Sequence, residues 1–575
     1  MYKKRVVSAW LFLLVAVPLF AQSAYLRSST NSNRWVDGGT VAGATWATQS
    51  NYITIDTATK YQQVMGWGGT IQEKHWEAIK VLSNAGKDSI NRALFDTSGC
   101  NISVLRLSIG CSDFDINENP ISLNETAGDY AMNNFSIRRD SLRKIPLIKM
   151  ATAINPAIRF WSSPWSPPRW MHDNGDYQSG WMKTDNNTFT AYALYLEKYV
   201  LAYKAAGINV EWICCQNEPT INTGGYPKCG WKNTDEVNFY KNFMIPRFTQ
   251  SNLSTRIILG VNCCETYEKW IQPFMADQTI RNFVGVTSHS YQTDALNWAT
   301  RSYTDYPGIP FFQTEAPFGP YPDVGPQNWA RGQDLFNNVA DWMNNKAAVY
   351  TLWNMVNDET AKSGWDWAQT VAIQVNKTTK AVTYNPWYYA YKHFCNNVKP
   401  GAYVVRNTRA GNDIGKYSTF RNPNGDIILV ITNTTASSFQ HTVRVGNMMW
   451  RPTLPANSFN TLRIATGIQT AARERKVATT VVPDMGKARI SNSTLYFSLP
   501  DAVGAQEMNI TLSDLQGRTV WTGHRSGSAM GNQTQVITIQ LAHGGLRAGT
   551  YLVTIHIKNV AGGKISTVEN KVLVN

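Results

Sequence analysis

The stretch Val210-Glu211-Trp212-Ile213-Cys214-Cys215-Gln216-Asn217-Glu218-Pro219 begins as an apolar run and ends on a carboxylate and a proline. A short apolar run closed by turn chemistry is consistent with a strand buried on both faces, and Pro219 cannot continue it. Working outward, similar runs recur at Val64–Gly68, Ile102–Ile109, Ile158–Trp161, Ile257–Val261, Val284–Thr287, Ile309–Gln313 and Ala348–Trp353. Longer stretches with helical periodicity lie between several of them, at Glu73–Ala85, Phe189–Ala206, Thr234–Thr249 and Gly332–Asn345. Strands alternating with helices specify βαβ units around a parallel sheet. Repeated across 61–400, they predict the α/β class and a (β/α)8 TIM barrel.

The flanking texture differs. Residues 401–465 alternate apolar and polar side chains at Asp426–Thr432, Thr442–Val445 and Phe459–Ile464. They predict an attached β-sandwich, partly completed by residues 24–60 through the strand-like Tyr52–Ile55. Residues 466–489 lack a period and read as a linker. Residues 490–575 again carry strand-like runs, among them Leu495–Ser498, Met508–Asp514, Gln535–Gln540 and Thr550–Lys558. They predict a separate Ig-like β-sandwich, a sorting or accessory domain.

At the N-terminus, Lys3, Lys4 and Arg5 precede the apolar run Val6–Phe20, and Ala21, Ser23 and Ala24 offer small residues for cleavage. Residues 1–23 therefore read as a signal peptide, too short to span a bilayer as a helix. The expected destination is secretion or the cell surface, with no transmembrane segment. Of 575 residues, 43% are hydrophobic, 16% charged and 12% aromatic, with 21 Trp and 26 Tyr. Disordered chains are poor in aromatics and coiled coils rich in Ala, Glu, Lys and Leu, so both are excluded. The net charge of +14 is spread thinly, whereas a nucleic-acid binder gathers Lys and Arg on one face; no nucleic-acid partner is expected. The adjacent pairs Cys214–Cys215 and Cys263–Cys264 lack C-x-x-C spacing, and no H-E-x-x-H string occurs, so no metal and no cofactor are expected. A bridge between the two pairs or to Cys229, and buried free thiols, both remain open. If the pairs lie on strands, their members face opposite sides.

Active sites of such barrels sit at the C-terminal strand ends. Glu218 follows the fourth run and Glu315 the seventh, in Gln313-Thr314-Glu315-Ala316. Two carboxylates across one cleft are what glycosidic cleavage requires, one to protonate the leaving oxygen and one to attack the anomeric carbon or activate water. Arg106, Asp113, Trp165, Asn217, His289, Tyr291, Trp353, Asn354, Trp365 and Trp367 fall in or just after other strand ends and are the candidate substrate-binding residues. Rings at Trp67, Trp161, Trp165, Trp170, Trp353, Trp365 and Trp367 suggest a cleft that stacks on the C–H faces of sugars. A non-catalytic surface glycan-binding protein would use the same mouth, and a metal-dependent hydrolase would need ligands absent from these strings.

The strings GWGGT (66–70), RLSIGCSDF (106–114), SPWSPPRWM (163–171), QNEP (216–219), HSY (289–291), TEA (314–316), LWNM (352–355), YNPWYY (384–389) and KPGA (399–402) occur in order. Across about 60–465 the sequence resembles glycoside hydrolase family 30. The resemblance implies a retaining glycosidase with Glu218 as acid/base and Glu315 as nucleophile. It implies that Asn217 bonds the sugar 2-hydroxyl, and that Arg106 and Tyr291 hold Glu315 ionised. Trp165, His289, Trp353 and Asn354 would line the innermost sugar site, and Glu218 would need a raised pKa to serve first as acid. The string SGWDWAQT (363–370) is similar to the β-1,6-glucanase branch, and residues 359–370 contain Lys362 but no Arg. The implied partner is a polysaccharide, β-glucan or xylan, with endo-β-1,6-glucanase as the leading activity. Xylanase, glucuronoxylanase or a glucosylceramidase-like β-glucosidase are the alternatives. The chain departs from the family pattern at Trp67 and at Ile71-Gln72-Glu73. Leu512–Gly523 and Leu546–Ile555 resemble a type IX secretion sorting domain, which implies engagement of secretion machinery through the C-terminal domain. The enzyme is expected to be a monomer.

Overall fold

The computed structural model describes residues 23–465, apart from 264, 292–293 and 317–327, together with strands between 489 and 574, the latter as backbone. All but the last residue of the proposed signal peptide and nearly all of the proposed linker lie outside the described residues. Eight parallel strands close into a barrel: β1 (Gly66–Ile71), β2 (Val104–Ile109), β3 (Arg159–Pro164), β4 (Val210–Ile213), β5 (Arg256–Ile258), β6 (Val284–Ser288), β7 (Phe311–Ala316) and β8 (Val349–Asn354). Each pairs with its sequence neighbours, and β8 returns to β1 through Val349 opposite Gly66. All eight overlap the apolar runs read from the sequence.

Alternation along the strands separates two cores. Val104, Trp161, Trp212, Cys214, Ile258, Phe312 and Val349 fill the barrel interior. Leu105, Leu107, Phe160, Ile213, Cys215 and Phe311 face the surrounding helices. The members of the first cysteine pair thus do point opposite ways. Cysteines 100, 111, 214, 215, 229 and 395 are buried free thiols, and Cys263 is buried. β1 carries glycines because its neighbours crowd it: a Cβ on Gly69 would lie 2.2 Å from Met355 Sδ.

Beside the barrel lies a β-sandwich. Its ten-stranded sheet runs from Val36–Ala42 through Ser23–Ser29, Ser458–Ile464, Ile427–Asn433, Tyr417–Arg421 and Tyr403–Ala410 to Tyr52–Gln63 and beyond. Both ends of the barrel segment feed it, so the chain enters and leaves the barrel through one sheet. His393, on the barrel helix Pro386–Cys395, joins the two layers through Thr461 Oγ1 at 2.8 Å and Ser29 Oγ at 3.0 Å. Phe459 does the same with apolar surface, stacking on Trp329 at 4.2 Å and on Phe336 at 5.4 Å between ring centroids. The described strands from 489 onward belong to a second compact unit. They form one three-stranded and one four-stranded antiparallel sheet.

Phe459 is fully buried and contributes to barrel and sandwich alike. Replacing it with alanine should cost roughly 3–5 kcal/mol, the usual range for a buried phenylalanine. Chemical denaturation followed by tryptophan fluorescence would measure this. A loss under about 1 kcal/mol would mean that the two layers do not share a core.

Candidate active site

The site grows from β2. Val104, Arg106 and Ser108 alternate into the barrel, and Arg106 is fully buried. Its guanidinium carbon lies 4.8 Å from the ring centre of Trp161, 4.4 Å from Trp165 and 5.1 Å from Trp353. Such a cation is attracted to the ring faces. Each of its three nitrogens donates a hydrogen bond. Nε donates to Ser163 Oγ (3.1 Å), Nη1 to Glu315 Oε2 (2.5 Å) and Thr314 O (3.2 Å), and Nη2 to Asn217 Oδ1 (2.6 Å). Arg106 therefore sits beneath the cleft and orients two other site residues.

Glu315 reaches the interior by an irregularity. Between Gln313 and Ala316, β7 carries one more residue than β8, whose partners there are Tyr350 and Leu352. This β-bulge turns both Thr314 and Glu315 inward, where alternation would admit only one. Tyr291 O–H donates to Glu315 Oε1 at 2.7 Å. His289, ending β6, is fully buried, and its imidazole is pushed down to about 3 by that burial, so it is neutral. Its Nε2 donates toward Asn217 Oδ1 (3.2 Å) and Glu315 Oε2 (3.3 Å), and its Nδ1 accepts from Thr314 O–H (3.0 Å). Because Arg106 and His289 take the carbonyl of Asn217, the amide N–H groups remain to offer a ligand.

Glu218 follows β4 with a backbone φ of +48°, a left-handed conformation that costs a non-glycine residue energy and clusters at functional sites. Its Oε2 accepts from Lys228 Nζ at 2.8 Å and from Tyr226 O–H at 3.3 Å. Burial, the largest influence, pushes the Glu218 carboxyl up, but the charge and hydrogen bond of Lys228, together with His289, hold the group below its usual range. The raised value expected from the sequence is thus not found in this ligand-free site, because the expectation took no account of Lys228. Asp113 goes the other way. Burial first, then the nearby charges of Glu315 and Glu218, push it well above its usual value. Among the described residues its Oδ1 has no partner.

Phe114, Trp165 and Trp353 form one aromatic wall, with Trp367 and Tyr226 packed against it. Trp165 and Trp353 stack at 5.2 Å and 24°. Trp367 reaches Tyr226 at 4.7 Å and Phe114 at 6.4 Å. The 363–367 loop closes on Ser363 Oγ, which accepts from the N–H of Trp365 and Trp367, and it docks through Gly364 N–H on Asp113 O. Asn354 Nδ2 donates to Gln369 Oε1 at 2.9 Å, and its Oδ1 has no partner. Trp365 belongs to none of these ring pairs. The structure thus gathers Arg106, Asp113, Trp165, Asn217, Glu218, His289, Tyr291, Glu315, Trp353 and Trp367 around one mouth. It moves Trp67 and Trp161 out of the cleft expected for them. Trp67 points outward from β1, packs on Phe394 and donates from Nε1 to Val398 O at 2.7 Å, while Trp161 fills the interior under Arg106. Trp170 packs edge-on against Tyr130, its ring N–H on Asn124 O. Lys228, Tyr226, Ser163 and Thr314 were not singled out in the sequence. The signal for the first two was the proximity of Tyr226-Pro227-Lys228 to Glu218 along the chain.

Residues 64–398 match the Glycosyl hydrolase family 30 TIM-barrel domain, and residues 401–462 the Glycosyl hydrolase family 30 beta sandwich domain. The chain belongs to glycoside hydrolase family 30. It is a glycosidase. Among family 30 relatives, Putative glucosylceramidase 1 of Caenorhabditis elegans is 27% identical over 439 residues, 72% of this chain and 83% of that protein. Endo-1,6-beta-D-glucanase BGN16.3 of Trichoderma harzianum is 24% identical, covering 74% of this chain and 88% of that one. The solved structure of the endo-beta1,6-glucanase BT3312 superposes with a TM-score of 0.69 at 22% identity, over 77% of this chain and all of that one. Among the described residues no group of His, Cys, Asp and Glu could hold a metal ion, and no helix is long and apolar enough to cross a membrane.

Tyr291→Phe removes one hydrogen bond to Glu315 and little volume. A bond to a charged group contributes about 1.5–3 kcal/mol, so kcat should fall by roughly 10- to 150-fold with the thermal midpoint unchanged. Steady-state kinetics and calorimetry on the same sample would check both halves.

Proposed function

We propose that this family 30 enzyme hydrolyses β-glucan internally at β-1,6 linkages and with retention of configuration. Glu315 acts as nucleophile and Glu218 as acid and then base. The observation that carries the proposal is the unequal treatment of the two glutamates at one mouth. Glu315 is fixed on both oxygens by Arg106 and Tyr291, as suits a group that must attack from one direction. On Glu218, Oε2 alone has donors among the described residues, which leaves Oε1 to face the glycosidic oxygen.

In the first step a Glu315 oxygen bonds to the anomeric carbon while Glu218 passes its proton to the departing oxygen. In the second, Glu218 takes a proton from water, the water oxygen bonds to the same carbon, and the carboxylate of Glu315 leaves. Asn217 offers its amide to the 2-hydroxyl, Asp113 and Asn354 each offer an oxygen that has no partner among the described residues, and Trp165 and Trp353 enclose the sugar. The linkage assignment draws on the relatives named as endo-1,6-β-D-glucanases in Trichoderma harzianum, Aspergillus fumigatus and Neurospora crassa, and on the 363–370 string. The glucosylceramidase relatives, slightly higher in identity, favour a second reading, an exo-acting β-glucosidase.

Digestion of β-1,6-glucan, β-1,3-glucan, glucuronoxylan and an aryl β-glucoside separates these. The proposal expects a ladder of short oligosaccharides from β-1,6-glucan, with proton NMR catching the β-anomer first. Glucose alone would support the exo reading, and digestion of glucuronoxylan alone would overturn both. Glu315→Gln should abolish turnover of every one of these substrates.

We further infer that residues 1–23 direct export and that the C-terminal unit is read by a secretion apparatus. Intact mass of protein recovered from the culture medium of the native host should lack the N-terminal segment. A full-length mass there would remove the signal-peptide reading.

A further inference from the structure

Lys228 is the feature of the site that the two-glutamate scheme leaves unused. It lies in the loop that runs from Pro219 to Trp231, and its side chain is 3% exposed. Three contacts hold it there. Its backbone N–H donates to Tyr177 O at 2.8 Å. Its stem lies so close over Gly224 that a Cβ there would come within 2.4 Å of Lys228 Cε. Its ammonium sits 4.2 Å from the ring centre of Tyr226, whose O–H also addresses Glu218. Among the described residues, Glu218 Oε2 is the one acceptor that Lys228 Nζ reaches. A buried ammonium needs a partner, and here that partner is the group which, on the proposed scheme, must change protonation twice per turnover.

We propose that Lys228 is a positioning residue that divides Glu218's labour between the two half-reactions. It favours the carboxylate that activates water and opposes the acid that expels the leaving group. This rests on the acid/base reading of Glu218. When Glu218 gives its proton to the departing oxygen, the new carboxylate is caught at Oε2 by Lys228 and Tyr226, with Oε1 left to receive a proton from water. When it has that proton, the pairing with Lys228 weakens until the next bond is broken. Of the other titratable groups around Glu218, Glu315 opposes its ionisation, while burial holds the His289 imidazole neutral. Asp113 and Tyr226 stand beside it, both pushed up by burial. Lys228 is thus the cation in contact with Glu218, as Arg106 is for Glu315.

The test compares Lys228→Met and Lys228→Arg with the parent enzyme, on a dinitrophenyl β-glucoside and on an unactivated β-1,6-linked oligosaccharide. The dinitrophenolate needs no proton to leave, so water attack limits its turnover. Lys228→Met should move the acid limb of kcat on it to higher pH by about one pH unit, so that kcat measured below that limb falls by about 10-fold, the equivalent of 1.4 kcal/mol. On the oligosaccharide the acid must be protonated, and its protonated fraction is lost as pH rises through its pKa. Removing the cation should move the alkaline limb of kcat/KM to higher pH by about one pH unit. Lys228→Arg should restore much of both. An equal loss on the two substrates with an unmoved pH profile would overturn the inference and leave Lys228 a structural residue. Glu218→Ala assayed on the dinitrophenyl glucoside with added azide tests the parent reading separately. Rescue as the glycosyl azide upholds Glu218 as acid/base whatever Lys228 does, and absence of rescue removes it.

Discussion

The site depends on how one guanidinium is housed. Arg106 is placed by strand alternation in the interior of a barrel whose lower layer is apolar, and its side chain is fully buried. Such a charge persists only if it is paired and fully hydrogen-bonded. The protein meets that demand in two directions. Three tryptophan faces surround the cation, and four residues from three other strand ends accept its N–H groups. The requirement to satisfy Arg106 therefore fixes Glu315 and Asn217 in the same act. Two side chains that must cooperate on one sugar ring share a single rigid donor.

Around it, three carboxyl groups meet in a space that cannot hold three negative charges cheaply. Each is settled by a different device. Glu315 has Arg106, Glu218 has Lys228, and Asp113 is pushed up by burial and by the two neighbouring carboxylates. Different environments given to chemically similar groups are how one fold assigns acid and base roles. The loop carrying Asp113 is itself braced from behind. Asp115 accepts from the N–H of Glu73 and Ser112 and from Ser108 O–H, and Glu73 pairs with Arg139 at 2.6 Å. The unfamiliar Ile71-Gln72-Glu73 segment thus has a structural use at the base of the site.

The barrel was legible in the sequence because its signal is repetitive. Eight apolar runs at helix-sized intervals leave few alternatives, and the strand ends then point to Glu218 and Glu315. The fates of individual tryptophans were less legible. Trp67 and Trp161 sit in the same kind of run as Trp353, and facing inward, outward or toward the mouth is decided by a one-residue phase that composition does not record. Lys228 was hidden for another reason. It lies in a loop without periodicity, and its meaning comes from a contact made only after that loop folds back over β4. The charge state of Glu218 followed from that contact and could not be read without it. Strands after 489 were expected from alternation and are present, whereas the role suggested by Leu512–Gly523 depends on recognition by another molecule.

The bulge in β7 makes the nucleophile hostage to arithmetic. Thr314 and Glu315 both face the lumen only because β7 spends one residue more than β8 between two fixed pairings. Shorten Gln313–Ala316 by one and regular alternation returns, the Thr314 hydroxyl and the Glu315 carboxylate can no longer share the lumen, and either His289 or Arg106 is orphaned. Composition, charge and hydrophobicity would hardly change. At this one strand the count of residues is as much a part of the chemistry as their identity.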